Sequence, residues 1–283
     1  MCPNTKKHKI YDTEEDNAML DIRLSKQLSK ITKNYRFVKD TEGMSPNRVY
    51  KLIGRNENLY LKLSDDQYHG TTYDVEREKD IMLWLKGKLL TPEVLHFEQY
   101  ENTSFLLMSE IGGDVGYQYF KKQCDPQKMT IIYSEGIKLL QSISILDCPF
   151  DSHIDYRINE LDYLLRHNLA DLDSENWEDD TPFRDPDELY AFLKTHKPNE
   201  EMVFSHGDFG DSNIFISNNQ ICGYIDLGRS GKADKWYDIA FCVRSIQHNF
   251  GNDNEYLDQF FNLLSIEPDW NKIKYHLLLD ELF

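Results

Sequence analysis

The sequence predicts an α+β fold of two lobes, a small β-rich lobe followed by a larger, mostly helical one. Three observations carry that expectation. The chain has 283 residues, which at about 100–200 residues per domain admits one large domain or two lobes. Its hydrophobic share of 40% supports a real core, because a chain of this length buries most of the surface it exposes when unfolded. Apolar residues between Tyr35 and Glu110 fall in short runs separated by turn-rich breaks, whereas beyond Gly112-Gly113 their spacing becomes helical. The division so read is a flexible N-terminal extension over residues 1–18, an N-terminal lobe over 19–110 and a C-terminal lobe over 111–283.

The elements follow in chain order. Met19, Ile22, Leu24, Leu28 and Ile31 are spaced for a short helix that packs on the lobe without a role in chemistry. Strands are expected over Tyr35 to Lys39, Arg48 to Ile53 and Leu59 to Leu63, with turn-forming residues between them, so the segment reads as an antiparallel meander. A helix from Tyr73 to Lys86 and two further strands, Thr91 to Phe97 and Ser104 to Glu110, complete a five-stranded sheet with one helix. Beyond the glycines, helical periodicity runs through Met129 to Ile145, Ile154 to Leu165, Pro186 to Leu193, Trp236 to Phe250, Glu255 to Leu264 and Asp269 to Phe283. The one β-like interruption is Asn213 to Asp226, a hairpin turning at Asn218-Asn219.

Charge excludes some functions. Lys+Arg total 32 against Asp+Glu 49, a formal net charge of -17, so nucleic acid or an anionic membrane would be repelled on average. A cationic partner fits better, although many acidic proteins are acidic for solubility alone. The five cysteines form no Cys-x-x-Cys pair, which gives no zinc spacing and suggests reduced thiols in a cytoplasm. The first residues lack the apolar stretch of a secretory signal, and no run approaches the roughly 18 apolar residues of a membrane span.

Two patterns carry chemistry. Along the third strand Leu59, Leu61 and Leu63 alternate with Tyr60 and Lys62, so the latter two face away from the leucine core. On the following helix Glu78 falls in the apolar stripe of Val75, Met82 and Leu85. It either sits at the edge of that stripe in solvent or needs a buried partner. Lys62 is the nearby strand lysine that faces off the core, and a strand Lys paired with a helix Glu is how kinases hold nucleotide phosphates.

The second pattern is Ser205-His206-Gly207-Asp208-Phe209-Gly210-Asp211-Ser212-Asn213, answered across the hairpin by Asp226-Leu227-Gly228. Asp208, Asn213 and Asp226 can converge at the open end of the two strands. In phosphoryl transfer, Asn213 and Asp226 would hold Mg²⁺ through hard oxygen ligands while Asp208 accepts or orients the attacking hydroxyl. Taken singly, each Asp is more commonly a turn or cap residue. Taken jointly, with the flanking glycines, the trio makes that reading improbable.

His206-Gly207-Asp208 with Asn213, then Asp226-Leu227-Gly228, resembles the signature of the aminoglycoside phosphotransferase family, a branch of the protein-kinase-like fold. Val38 to Pro46, Asp74 to Asp80, Gly228 to Ala240 and the terminus Leu278 to Phe283 resemble aminoglycoside 3'-phosphotransferases in particular, and the likeness runs from about Tyr35 to Phe283, weaker between Gly112 and Asn159. It implies an ATP- or GTP-dependent, Mg²⁺-requiring kinase acting on the 3'-hydroxyl of kanamycin- and neomycin-type aminoglycosides. By the same resemblance Lys62 would contact the α and β phosphates and pair with Glu78. Tyr60 would stack on adenine, Met108, Ser109 and Ile111 would form the hinge, and the loop with Met44 and Ser45 would replace a glycine-rich loop. His206 would organise the catalytic loop.

On the acceptor side, six acidic residues occur between Asp171 and Asp180, beside Trp177. Such a run is usually a solvated face. The resemblance makes Glu175, Asn176 and Glu178 contacts for aminoglycoside amines, with Asp280, Glu281 and the terminal carboxylate of Phe283 opposite. Arg229 is either a phosphate or substrate ligand or a surface ion pair, and Arg244 an internal pair. Gln247-His248-Asn249 stand where the relatives carry acidic residues, which leaves the drug spectrum open. Two rivals stay in view: a kinase of the same fold with a macrolide or metabolite acceptor, and an inactive nucleotide-binding module.

Overall fold

The computed structural model describes residues 22–283 apart from 42, 44, 171, 176, 179, 180, 252 and 253. Met44, Asn176 and the extension over 1–18 therefore lie outside the described residues. The N-terminal strands are β1 (Arg36–Lys39), β2 (Arg48–Ile53), β3 (Asn58–Asp65), β4 (Val94–Tyr100) and β5 (Thr103–Ser109). They form one sheet in the order β1-β2-β3-β5-β4, and every neighbouring pair is antiparallel. β4 begins later than the sequence predicts, because Pro92 has no amide to give to a ladder, and its pairing with β5 shifts register between Val94 and His96.

Alternation along β3 splits the sheet into two apolar faces. Leu59, Leu61 and Leu63 join Leu52, Phe105 and Leu107 on one face, beneath Leu28 of α1 (Lys26–Ile31). Met19, where the predicted helix begins, lies outside the described residues; among those described the helix starts at Lys26, where Ser25 accepts the amides of Gln27 and Leu28 and so sets the cap. The opposite face presents Leu106 and Met108 to Ile81, Met82 and Leu85 of α2 (Val75–Leu85). Asp74 caps α2 by accepting the Glu76 amide.

The C-terminal lobe holds α3 (Gly116–Gln123), α4 (Pro126–Ser142), α5 (Ile154–Arg166), α6 (Pro186–Thr195), α7 (Trp236–Phe250), α8 (Asn254–Leu264) and α9 (Trp270–Asp280). α4 starts three residues before the predicted Met129 because Asp125 accepts the Lys128 amide and Pro126 fills a first-turn position. α4 packs on α7 and α8, and α7 on α9. Between α2 and α7 the two lobes share one apolar cluster in which Leu85 and Leu106 join Phe204, Leu227 and Ile239. No described helix is long and apolar enough to cross a membrane, and the four described cysteines are free thiols.

The predicted hairpin is present as β8 (Ile214–Ser217) and β9 (Gln220–Tyr224). Asn218 and Asn219 turn it with φ of 53° and 64°, the left-handed pair that a two-residue hairpin loop requires. Three short strands were not legible in the sequence. β6 (Asp114–Val115) pairs with β8, and β7 (Met202–Ser205) pairs with β10 (Gly231–Asp234). At two to four residues each, they are too short to display alternation.

Candidate active site between the lobes

The Lys62 side chain leaves the non-leucine face of β3 and is almost wholly enclosed, with 8% of its side chain exposed. Its Nζ lies 2.7 Å from Glu78 Oε2 on α2 and 2.5 Å from Asp226 Oδ1 after β9. Of the two readings left open for Glu78, the structure shows the buried partner. Burial works against the ammonium, but Asp226 and Glu78 outweigh it and hold the Lys62 pKa above the usual lysine value. Glu78 uses its other oxygen to accept the Leu227 amide at 3.1 Å. That bond, with the Lys62 pair, fixes the turn after Asp226 to α2.

Asp226 itself has φ 58° and ψ 56°, a left-handed conformation that is strained for any residue but Gly and tolerated best by Asn and Asp. The strain aims the carboxylate back toward β3. Burial pushes its pKa up, yet Lys62, through its charge and its hydrogen bond, and the charge of Arg229 bring it below the usual aspartate value. With its side chain 42% exposed, the group is an ionised carboxylate with room for a further ligand.

The segment after β7 curls around a buried carboxylate. Asp238, on the first turn of α7, accepts the His206 amide at 2.7 Å and the Gly207 amide at 2.9 Å. Gly207 has φ 81°, and a Cβ there would come within 2.3 Å of the Arg229 carbonyl, so only Gly fits. His206 is fully enclosed and sits 3.0 Å from the Ile225 carbonyl through Nε2, which requires that nitrogen to carry the proton. Burial lowers its pKa, leaving a neutral imidazole committed to backbone.

Asp208 and Asn213 meet as the five-residue spacing predicts. Asn213 Nδ2 donates to Asp208 Oδ2 at 2.8 Å and to the Asp208 carbonyl at 2.9 Å. Both partners are pure acceptors, so the amide nitrogen must face them and Oδ1 is left for another ligand. Asn213 Oδ1 and the open Asp226 oxygen are hard donors of the kind Mg²⁺ takes. Burial raises the Asp208 pKa; Arg229 opposes that, and Asp280 and Asp226 add to it.

At the end of α9, Arg229 and Arg244 share one partner. Arg229 Nη1 lies 2.8 Å from Asp280 Oδ1, and Arg244 Nη1 2.8 Å from Asp280 Oδ2. Arg229 is thus a largely buried ion pair rather than a surface one, and Arg244 pairs internally as expected. Both oxygens of Asp280 are engaged, so it presents less free negative charge than its sequence position suggests. Glu281 accepts the Glu178 amide at 3.1 Å and the Thr181 hydroxyl at 2.5 Å, which ties the acidic segment to the end of α9. Glu175 is exposed, and Glu178, half exposed, lies 3.9 Å from Arg244. The Phe283 ring lies 3.8 Å from the Arg157 guanidinium and 5.7 Å from that of Arg229. Asn249 bonds Ser245 and reaches Asp211 at 3.4 Å.

Between β3 and β5, Tyr60 pairs in register with Met108, and Leu59 with Ser109. The Lys51 ammonium lies 5.6 Å from the Tyr60 ring centroid. Ile111 packs so tightly on Gly223 that a Cβ there would come within 2.4 Å of its Cγ2, which seats the strand-to-helix connection on β9. Ser45 is described and partly enclosed at the bend before β2, and Asn47, two residues on, donates to the Tyr73 carbonyl at 2.8 Å. Sequence reasoning missed Asp238 and Arg77. Asp238 reads as an ordinary acidic residue of a first helical turn, and Arg77 is one charge among several between Asp74 and Asp80. Only its fixed distance from His206-Gly207 could have marked Asp238 out.

A profile of the phosphotransferase enzyme family (APH) matches residues 39–276. An aminoglycoside 3'-phosphotransferase of Enterococcus faecalis is 60% identical over 94% of this chain and 100% of its own length, and one of Staphylococcus aureus is 59% identical over the same shares. Among solved structures, aminoglycoside-3'-phosphotransferase of type VIII superposes with a TM-score of 0.74 at 20% identity, covering 88% of this chain and 94% of that one. Aminoglycoside phosphotransferase APH(3'')-Id from Streptomyces rimosus, in complex with ADP and streptomycin, superposes at 0.75 and 20% identity, covering 90% and 95%. These structural likenesses establish the fold.

Proposed function

The chain belongs to the phosphotransferase enzyme family, and on that premise we propose that it is an antibiotic-inactivating kinase that moves the γ-phosphate of ATP, or GTP, to the 3'-hydroxyl of kanamycin- and neomycin-type aminoglycosides. The observation that carries the reading is the meeting of Lys62, Glu78 and Asp226 beside the Asp208–Asn213 pair. An added phosphate places negative charge where a drug target expects a neutral hydroxyl.

In this reading Lys62, oriented by Glu78, contacts the nucleotide phosphates. Tyr60 stacks on the base, Met108, Ser109 and Ile111 line the hinge, and Met44 and Ser45 cover the phosphates, so residues 19–110 serve the nucleotide. Asn213 Oδ1 and Asp226 would hold Mg²⁺, which when bound supplies positive charge against the triphosphate. Asp208 accepts the hydrogen bond of the acceptor hydroxyl and orients it for attack; its carboxylate is held in place by Asn213. Glu175, Asn176 and Glu178 meet the ammonium groups of the drug from one side, and Asp280, Glu281 and Phe283 frame it from the other. Arg229 stands between the two halves, where its charge works against the rise that burial gives the Asp208 pKa. Residues 111–283 thus serve the acceptor. The free thiols and the need for ATP fit work in a cytoplasm.

The test is Asp208→Ala. Kanamycin phosphorylation should fall by about 100-fold or more, the usual loss for a general base, with binding of ATP retained. Turnover within a few-fold of the parent would sink the assignment.

A further inference from the structure

α2 contributes two neighbouring side chains to the loop that follows Asp226, and Glu78 accounts for only one. The other, Arg77, crosses from the N-terminal lobe into the C-terminal lobe. Its Nε donates to the Gly228 carbonyl at 2.9 Å, and its Nη2 donates to the Asp151 carbonyl at 2.8 Å and the Ser230 carbonyl at 3.2 Å. The guanidinium lies 5.1 Å from the Tyr156 ring centroid and 5.7 Å from that of Phe150. Three carbonyls and two rings therefore converge on one cation. A charged donor to partly enclosed carbonyls is worth more than a neutral one, and the planar fork can serve all three oxygens where an ammonium cannot.

The loop that Arg77 grips is held on its other flanks as well. A Cβ on Gly228 would come within 2.2 Å of the Thr72 carbonyl, and the Thr72 amide donates to Glu160 of α5. Ser152 Oγ donates to the Arg229 carbonyl at 2.6 Å. The chain from Leu227 to Ser230 is thus pressed between α2 and the segment before α5, directly after the left-handed Asp226. Releasing its carbonyls frees the turn that aims that carboxylate.

We propose that Arg77 is a positioning residue for metal-bound nucleotide: it never touches the reacting groups, but by fixing the Gly228 and Ser230 carbonyls to α2 it keeps Asp226 in the orientation that Lys62 and a divalent cation require. The proposal rests on the kinase reading of the site. It separates Arg77 from a purely structural residue, whose loss would lower stability without discriminating between nucleotide with and without metal.

The experiment is titration calorimetry of the full chain with ATP, once with Mg²⁺ and once with a chelator, on the parent, Arg77→Gln and Arg77→Lys, each checked by thermal unfolding. Arg77→Gln should bind MgATP between about tenfold and a hundredfold more weakly, the usual loss when a partner behind a metal ligand is removed. Its affinity for metal-free ATP should move less, and Arg77→Lys should fall between it and the parent. In turnover assays KM for ATP and the Mg²⁺ requirement should rise, with KM for kanamycin near the parent value. MgATP affinity within twofold of the parent in Arg77→Gln overturns the proposal. Should that variant not fold, parent-like MgATP affinity in Arg77→Lys overturns it equally, and a weakened one supports it. A parent that binds no MgATP would contradict the kinase reading itself, which keeps the two failures distinct.

Discussion

At the scale of single residues the site is a set of charges whose partners decide their state. Asp280 shows this most clearly, being only 14% exposed yet faced by Arg229 and Arg244 at 2.8 Å each, with Arg157, Glu178 and Asp208 further out. Burial pushes its pKa up, but Arg244, Arg229 and Arg157 outweigh that and hold it below the usual aspartate value. A folded-state pKa below the unfolded one means that the stability gained from ionisation is fully present above the unfolded value, about 3.9, and is lost as the pH falls through the folded value. Asp280→Asn should therefore cost about 3 kcal/mol at pH 7, as removal of one partner from a buried ion pair does. In denaturant titrations across pH, that deficit should shrink below about pH 4 as the parent's own carboxylate protonates. A deficit that stays constant with pH would mean the carboxylate charge is not what holds the two arginines.

At the scale of elements the chemistry depends on how tightly a short turn is pressed against a helix. The 3-10 turn Leu227–Arg229 meets α2 through Glu78, Arg77 and the contact of Gly228 with Thr72. Gly228→Ala would force backbone against backbone at that contact and should destabilise the protein by about 1–3 kcal/mol, as overpacking does. Thermal unfolding and MgATP affinity should fall together; an unchanged midpoint would show that the turn has slack. These contacts also explain what was legible in advance. Lys62 and Glu78 could be paired from a period-two strand and a helical stripe, because burial of a charge demands a partner. Asp208 with Asn213 could be read from loop spacing, and Asn218-Asn219 from turn chemistry. Arg77 was not legible: its partners are backbone carbonyls more than 70 positions away in sequence, and carbonyls leave no trace in side-chain pattern. β7 and β10 escaped for a related reason, since four-residue strands are defined by their ladder rather than by their residues.

At the scale of the whole molecule the net charge of -17 is distributed rather than uniform. Part of it is neutralised inside, where Asp226 and Glu78 answer Lys62 and where Asp280 answers two arginines. Glu175 and Glu178 remain open to solvent on the helical lobe, where a polycation would be attracted over a distance. The anionic nucleotide must enter between the lobes against the net field, which places the burden on Lys62 and the cation that Asn213 and Asp226 would hold. The protein thus pairs an acidic surface suited to a polycation with a site whose attraction for an anion depends on the cation that its carboxylate and amide oxygens would hold. The measurement that tests this account most directly is the position of the transferred phosphate. With kanamycin, MgATP and the full chain, phosphorus NMR of the product should find phosphate on the 3'-oxygen, and tobramycin, which lacks that hydroxyl, should yield no 3'-type product. Phosphate on another oxygen, or full turnover of tobramycin, would contradict it.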